Sequence, residues 1–382
     1  MGRRPLKKLR ILLPFIGDTV GGSHISAIIL AKALRQHNHD VIIGLHHVGP
    51  LANFLTGRGI AYRHLQIDHF VAAAPRTIKD ARCAINCFRA VRRSLGNIAP
   101  DIVHTNDGRC HLSWVPVARL AGIPTIWHQR TLLDASRLTR NVIRLATRTV
   151  SISEFVRASL PGRLSRDSTV VPNPVEPVFP SPEQIKRCRA RICAEGNIAT
   201  DAVVVGFFGN LRSVKAPLVA VEAFLRMQAS LDIESLMIVV GDDREGFREP
   251  MERIVASANT RAKILFFGFQ SEVLPWIASC DLVLATSQGD AFGRTIIEAM
   301  SLGVPVVATD AGGHSEVLAH RETGMLAPVN RPQDIAAAAV EVMTDGRLRR
   351  ILVSQGKTSA KGKYSGEYHT RQILKLYASL HS

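Results

Sequence analysis

The chain is 382 residues long, 46% hydrophobic and 21% charged. This excludes disordered, collagen-like and low-complexity classes and leaves room for two domains with full cores. No run of about 18 apolar residues occurs, so no helical membrane span is expected. The net charge of +16 sits wholly in the first half: residues 1–175 hold 25 Lys and Arg against 9 Asp and Glu, and the remainder holds 23 of each. That asymmetry directs the first half toward an anionic partner, whether a membrane surface, nucleic acid or an acidic substrate.

In chain order, a basic lead without a small-residue cleavage site runs into a short apolar stretch, which predicts a first strand and not a signal peptide. Strands are predicted over 9–14, 40–45, 102–104, 125–127 and 149–152. Their continuous apolar runs suit a parallel sheet buried on both faces. Helices are predicted over 26–36, 77–95 and 113–121, the last stopped by Gly122 and Pro124. Five prolines in residues 170–184 disfavour helix and central strand and predict an interdomain linker. The rhythm then resumes, with strands over 203–208, 236–240, 263–267, 281–285 and 305–309. Helices follow over 217–229, 249–258, 295–302 and 332–343. Two such sets predict an α/β protein of two Rossmann-like domains facing a cleft, 1–172 and 173–360, with a last helix in 361–382 returning to the first domain. The six cysteines form no zinc or disulfide spacing and read as reduced thiols.

Three sequence features carry chemistry. The first strand ends in a glycine loop, Gly17 to Ser23, with Gly21 and Gly22 before a helix. Such a loop is either a tight turn or a place where backbone N–H groups approach an anion. The strand over 203–208 runs into Gly209-Asn-Leu-Arg212-Ser-Val-Lys215. Its two cations either converge on a phosphate or form a solvated basic turn. Residues 287–318 are densest: Asp290 in a Gly-bounded loop, Gly293, Arg294 and Thr295 at a helix start, and Glu298 one turn inside. A helix N-terminus flanked by two carboxylates suits a ligand with phosphates and hydroxyls. Gly312-Gly313 and Glu316 follow.

Weaker candidates are His24 in the glycine loop and His104, Asn106 and Asp107 at a predicted strand C-terminus, where parallel sheets bind ligands. His46-His47 follows a strand and has the look of a metal pair, but spacing places no third ligand beside it. Asp242-Asp243 is adjacent instead of alternating and fits a turn better than a metal pair. Two basic helical faces are predicted. One sets Ile78, Ala81, Ile85, Phe88 and Leu95 beside Lys79, Arg82, Arg89 and Arg93. The other is an Arg137, Arg140, Arg144 and Arg148 stripe. Each is either solvated or directed to an anionic surface.

These motifs resemble the retaining glycosyltransferases of family 4, which have the GT-B fold. The family's Gly-Arg-Leu-x-x-x-Lys element appears from Gly209 to Lys215, with Asn210 for its Arg. Its Glu-x7-Glu motif appears as Asp290-x7-Glu298, with Ala291 where Gly or Pro is frequent. Its Val-Gly-x-Gly turn corresponds to Val240-Gly241-Asp242-Asp243. Val170-Val171-Pro172-Asn173 matches its linker, Gly21-Gly22 its first-domain loop, Asp101-Ile-Val-His104 a strand start, and His128 its active-site histidine. The resemblance covers roughly residues 9–345.

It implies that Arg212 and Lys215 bind the donor diphosphate, together with Gly21, Gly22 and the helix start at Gly293, Arg294 and Thr295. Glu298 is then expected on the ribose, Asp290 on the donor sugar, and His128 beside that sugar as the second catalytic residue. The implied reaction transfers a sugar with retention and no resident cofactor; with no Asp-x-Asp pair at a strand end, and cations and a helix start to stabilise the leaving diphosphate, no metal is expected. The donor is a nucleotide-diphosphate sugar and the acceptor a glycan or lipid-linked oligosaccharide of lipopolysaccharide type. The expected location is cytoplasmic, peripheral at the inner face of the plasma membrane through the first domain. A sugar-nucleotide epimerase of the same fold is an alternative. A nucleic-acid-binding protein has the pI of 10.2 in its favour but no recognition motif and only 5% aromatics. A Rossmann oxidoreductase lacks its fingerprint.

Overall fold

The computed structural model describes residues 8–134, 136–258 and 260–380, so most of the basic lead lies outside the described residues. The chain divides into two compact units. One comprises the residues up to Pro174 and those from Gly366 on; the other is Val175–Ser365.

The first unit is built on seven parallel strands: β1 (Arg10–Phe15), β2 (Asp40–Leu45), β3 (Arg63–His64), β4 (Ile102–Thr105), β5 (Thr125–Gln129), β6 (Arg148–Ser151) and β7 (Thr169–Val170). Their order is β3-β2-β1-β4-β5-β6-β7. Alternation explains why β1 is apolar throughout. Ile11, Leu13 and Phe15 pack with Leu30 and Leu34 of the helix Gly22–Gln36. Leu12 packs on the other face with Val91 and Leu95 of Ile78–Ile98 and Trp114 of Gly108–Leu120. Pro14 lacks a ladder donor, yet β1 tolerates it because its pairing with β4 stops at Leu12. The helix Gly366–Ala378 places Ile373 and Tyr377 in the core that holds Ile11 and Leu13.

Three expectations need correction in this unit. The helix expected from 113 begins at Gly108, because Asp107 caps it by accepting from the Cys110 N–H at 2.9 Å. Ile78–Ile98 buries Cys87, Val91, Ser94, Leu95 and Ile98, whereas Ile78 and Ile85, expected on its packed face, are 77% and 48% exposed. The four arginines from 137 to 148 do not share a helix. Arg137–Val142 ends after six residues, a 3₁₀ turn spans Ile143–Leu145, and Arg148 opens β6. Buried Val142 and Ile143 pin the chain beside Trp127, and Thr149 and Val150 then pair with β5.

The second unit has six parallel strands: β8 (Val203–Phe208), β9 (Ser235–Val240), β10 (Lys263–Gly268), β11 (Leu282–Ala285), β12 (Val306–Thr309) and β13 (Met325–Ala327), in the order β10-β9-β8-β11-β12-β13. Val205 and Phe207 pack against Ala220, Phe224 and Met227 of the helix Pro217–Leu231. The α/β, two-Rossmann expectation therefore holds in both units. All six cysteines are free thiols.

Candidate functional site

In the first unit the expected residues gather at the C-terminal ends of β1, β4 and β5. Gly17 holds φ +101° and a Cβ there would lie 2.3 Å from the His47 carbonyl oxygen, so only glycine makes this turn. Gly21 is extended and caps the helix that Gly22 opens. A Cβ on Gly21 would meet nothing closer than 3.9 Å, so packing does not demand glycine there. His24 turns back on this loop. Its Nδ1 accepts from the Gly21 N–H at 3.1 Å, and burial lowers its pKa. His46, by contrast, is structural: its Nε2 accepts from Trp114 Nε1 at 2.8 Å.

His128 on β5 is fully buried among rings. Its Nδ1 lies 3.1 Å from His104 Nε2 and 3.3 Å from Arg130 Nη2, and its Nε2 has no partner. Asn106 is buried and engaged: its Oδ1 accepts from Arg130 Nε at 3.0 Å and Nη2 at 2.7 Å, and its Nδ2 donates to the His104 carbonyl. Asn173 accepts from Arg130 Nη1. A cavity of about 320 Å³ opens beside them, lined by Ser23, Asn106, Asp107, Arg109, His111 and Arg130 among others. Asp107 gives one oxygen to its helix cap and leaves Oδ2 buried without a partner.

The second unit assembles a different centre past the ends of β8, β11 and β12. Lys215 pairs with Asp290. Burial works against charge on Asp290, but His314 and Lys215 beside it hold the carboxyl well below the usual carboxylate range. The glycine pair expected after β12 sets this geometry. Gly312 has φ +57° and a Cβ there would lie 2.6 Å from the Asp290 carbonyl oxygen; the Gly313 N–H donates to that same oxygen at 2.7 Å. Gly293, at φ +89°, caps the helix Arg294–Leu302. Lys215, Asp290, Gly293 and Thr295 line one small cavity of about 20 Å³ together with His314.

Glu298 is paired with Arg294 at 2.9 Å, and its burial raises its pKa. Arg212 stands apart from the cavity, more than half exposed and paired with Glu245 at 3.2 Å. Asp242 pairs with Arg244, and Asp243 accepts from the Phe247 and Arg248 N–H groups, as a turn and helix start require. Among the described residues no group of three or more His, Cys, Asp or Glu can hold a metal ion.

Residues 20–179 match Glycosyltransferase Family 4, and residues 189–359 match Glycosyl transferases group 1. The chain belongs to this family. Among its relatives is the N-acetyl-alpha-D-glucosaminyl L-malate synthase of Bacillus anthracis, 28% identical over 192 residues, which are 50% of this chain and 49% of that protein. Another is the lipopolysaccharide core biosynthesis mannosyltransferase LpsB of Rhizobium meliloti, 32% identical over 136 residues, 35% of this chain and 39% of that protein. The chain spans about half the length, or less, of the curated relatives it matches. Anabaena HepE, solved with UDP and glucose, superposes with a TM-score of 0.80 at 22% identity, over 97% of this chain and 100% of that one. That likeness shows that the family's GT-B fold is shared.

Sequence reasoning missed Arg130, His314, Tyr377 and His369. Arg130 ends the Trp127-His128-Gln129-Arg130 run, and a cation at a strand C-terminus was its visible signal. His314 follows Gly313 directly. Tyr377 lies 273 residues from His104 and His369 lies 197 from Pro172, and no spacing announces such contacts.

Proposed function

We propose that the chain transfers a glycosyl group from a nucleotide-diphosphate sugar to a glycan or lipid-linked acceptor of lipopolysaccharide type, retaining the anomeric configuration and using no metal. The observation that carries this is the second unit's centre: a lysine and a carboxylate facing each other at a helix start, with a second, largely covered carboxylate one turn on. A leaving diphosphate carries extra negative charge, which fixed cations and helix N–H groups stabilise without reorganising. Lys215 and Arg212 take the diphosphate, with the N–H groups after Gly293. Glu298 accepts from ribose hydroxyls and Asp290 from the sugar. The bond from sugar C1 to the phosphate oxygen breaks, its electron pair leaves with the nucleoside diphosphate, and the acceptor oxygen bonds C1 on the same face as its proton passes to the phosphate.

The first unit takes the acceptor, in the cavity bounded by Asn106, Asp107 and His128's neighbour Arg130. Support for the donor comes from HepE, which was solved with UDP and glucose, and for the acceptor class from LpsB. No helix among the described residues is long and apolar enough to cross a membrane. Attachment to an anionic inner membrane face through Ile78–Ile98 completes the reading. The test is a panel of nucleotide sugars with extracted glycolipid and free glycan. Release of nucleoside diphosphate together with an α- or β-linked product of unchanged anomeric form supports it. An isomerised donor without transfer makes the chain an epimerase, and no reaction with any donor overturns the reading.

A further inference from the structure

Hydrogen-bond direction around His128 is not free to vary. A guanidinium only donates, so at the Arg130 Nη2 to His128 Nδ1 contact of 3.3 Å the ring nitrogen accepts. With Nδ1 an acceptor, His104 Nε2 at 3.1 Å must carry the proton and donate to it. His104 Nδ1 is then bare and accepts from the Tyr377 hydroxyl at 2.7 Å. The chain of contacts closes, with the two donors sharing the single Nδ1 lone pair of His128. Tyr377 and His104 are fully buried, and burial raises the tyrosine's pKa, so the hydroxyl keeps its proton. Burial first, and the Arg130 charge second, lower the pKa of both His104 and His128 well below the usual value, so both rings are neutral. Asn106 and Asn173 hold the guanidinium in place through their side-chain oxygens.

One proton location remains for His128, which is Nε2. That atom is buried and has no partner. The neighbouring His369 carries the opposite arrangement. Its Nδ1 faces the Pro172 carbonyl oxygen at 2.7 Å, which only accepts, so Nδ1 donates and Nε2 is bare, buried and also without a partner. The two rings lie nearly parallel, with centroids 5.7 Å apart.

We propose that Arg130, His104 and Tyr377 are positioning residues that lock His128 as a neutral ring with its proton on Nε2, so that in the proposed transfer this atom donates a hydrogen bond and accepts no proton. The inference rests on the transfer reading only for what His128 donates to. The proton's location belongs to the chain itself.

Two experiments separate these. Long-range proton–nitrogen spectra of the full chain labelled in histidine, with no substrate present, should show His128 and His104 each protonated at Nε2 alone across pH 6–8. His369 should be protonated at Nδ1 alone. Single His→Gln variants assign the signals. Tyr377→Phe should disturb the His104 pattern, and Arg130→Met the His128 pattern, while nucleoside-diphosphate affinity stays within about twofold. A proton on His128 Nδ1, or a charged ring at pH 7, overturns the lock whatever the reaction is. In turnover, His128→Gln keeps an N–H at similar reach and should retain at least a tenth of the rate, with His128→Ala at least tenfold lower still. The wild-type rate should show no limb that titrates with this ring between pH 6 and 9. Equal loss in the Gln and Ala variants, or a basic limb that His128→Gln removes, overturns the donor role. The predicted spectra in a chain that transfers nothing uphold the lock and sink the transfer reading alone.

Discussion

The two units solve the same problem of burying polar groups in opposite ways. The first unit's centre is a set of neutral rings near one guanidinium: His128 bonded to His104 and Arg130, His104 to Tyr377, His111 to Thr105, and His369 to the Pro172 carbonyl. The second unit's centre is made of opposite charges in contact, Lys215 with Asp290 and Arg294 with Glu298. Neutral networks depend on every proton being in its place, and a proton added from solvent breaks them. Charge pairs tolerate mild acid but leave a costly orphan when one partner is removed. The same contrast suits the proposed division of labour. An anion can exchange with a carboxylate for Lys215, whereas a hydroxyl meets a neutral donor.

Acid should separate the units most strongly. In the first unit, burial lowers His46 to about 4 and His111 and His369 to about 3, with His104 and His128 also depressed. Unfolded histidine takes its proton near the ordinary value, about 6.5. A base depressed in the folded state leaves stability intact above that value. The loss begins as pH falls below it and continues toward the folded pKa, at up to about 1.4 kcal/mol per histidine per pH unit. The second unit has a lower window. Asp290, depressed, supports the fold until pH falls below the unfolded carboxylate value near 4. Glu298, raised by burial, has the opposite sign and favours the fold at low pH. Trp114 and Trp127 report the first unit and Trp276 the second, so Trp→Phe variants can follow each by fluorescence. The first should unfold between pH 6 and 4 while the second holds. Simultaneous loss breaks the comparison.

Removing one partner should hurt the second unit more selectively. Lys215→Ala deletes a charge-assisted contact worth about 1.5–3 kcal/mol and leaves the half-buried Asp290 without its cation. Calorimetry should show nucleoside-diphosphate affinity falling roughly tenfold to a hundredfold. Arg212→Ala, at an exposed position, should cost less. Unchanged affinity in both variants would move the donor site elsewhere.

Gly312→Ala sharpens the same point through the backbone. An L side chain at φ +57°, 2.6 Å from the Asp290 carbonyl oxygen, forces the two loops apart. A cost of about 1–3 kcal/mol in the second unit is expected from strain of this kind. Thermal unfolding should register it, and diphosphate affinity should fall with it. An alanine that changes neither would show that the glycine loop does not hold Asp290.

The sequence was most legible where one physical rule acted alone. Continuous apolar runs bounded by turn residues located β2 and β8 to the residue, because both faces of each sheet are covered. The carboxylate pair and helix start were legible because Gly293, Gly303 and Pro305 punctuate that segment. Periodicity misled where two rules competed. Ile78 and Ile85 share a helical stripe with Phe88, but the packed face is set by Cys87, Val91 and Leu95, which meet the sheet side. The arginines at 137–148 keep a helical spacing across a segment that Ile143 and the β-branched Thr149 turn into a 3₁₀ step and a strand. Contacts over long separations, such as His104 with Tyr377, leave no local pattern at all.

The smallest expected effect lies on the first unit's surface, and it follows from that correction. Ile78, Arg82, Ile85, Arg89 and Arg92 fall at spacings of four, three, four and three, all exposed, on the face of Ile78–Ile98 opposite its buried residues. Two exposed isoleucines between arginines can enter the headgroup region of an anionic bilayer while the cations stay at its surface. Each such cation contributes about 1 kcal/mol near an anionic surface, and salt screens it. Arg137, Arg140, Arg144 and Arg148 share no such face, since they span a helix, a 3₁₀ turn and a strand. Co-sedimentation with anionic and neutral vesicles at low and high salt therefore has a definite order. Arg82, Arg89 and Arg92 changed together to Gln should abolish most binding to anionic vesicles. Ile78 and Ile85 changed to Ser should weaken it and leave its salt dependence steeper, because only the electrostatic part then remains. The four arginines from 137 to 148 changed to Gln should matter less than either set. Binding that ignores lipid charge, or that follows those four arginines instead, would return Ile78–Ile98 to an ordinary solvated helix and leave the first unit's excess charge to a soluble acidic acceptor.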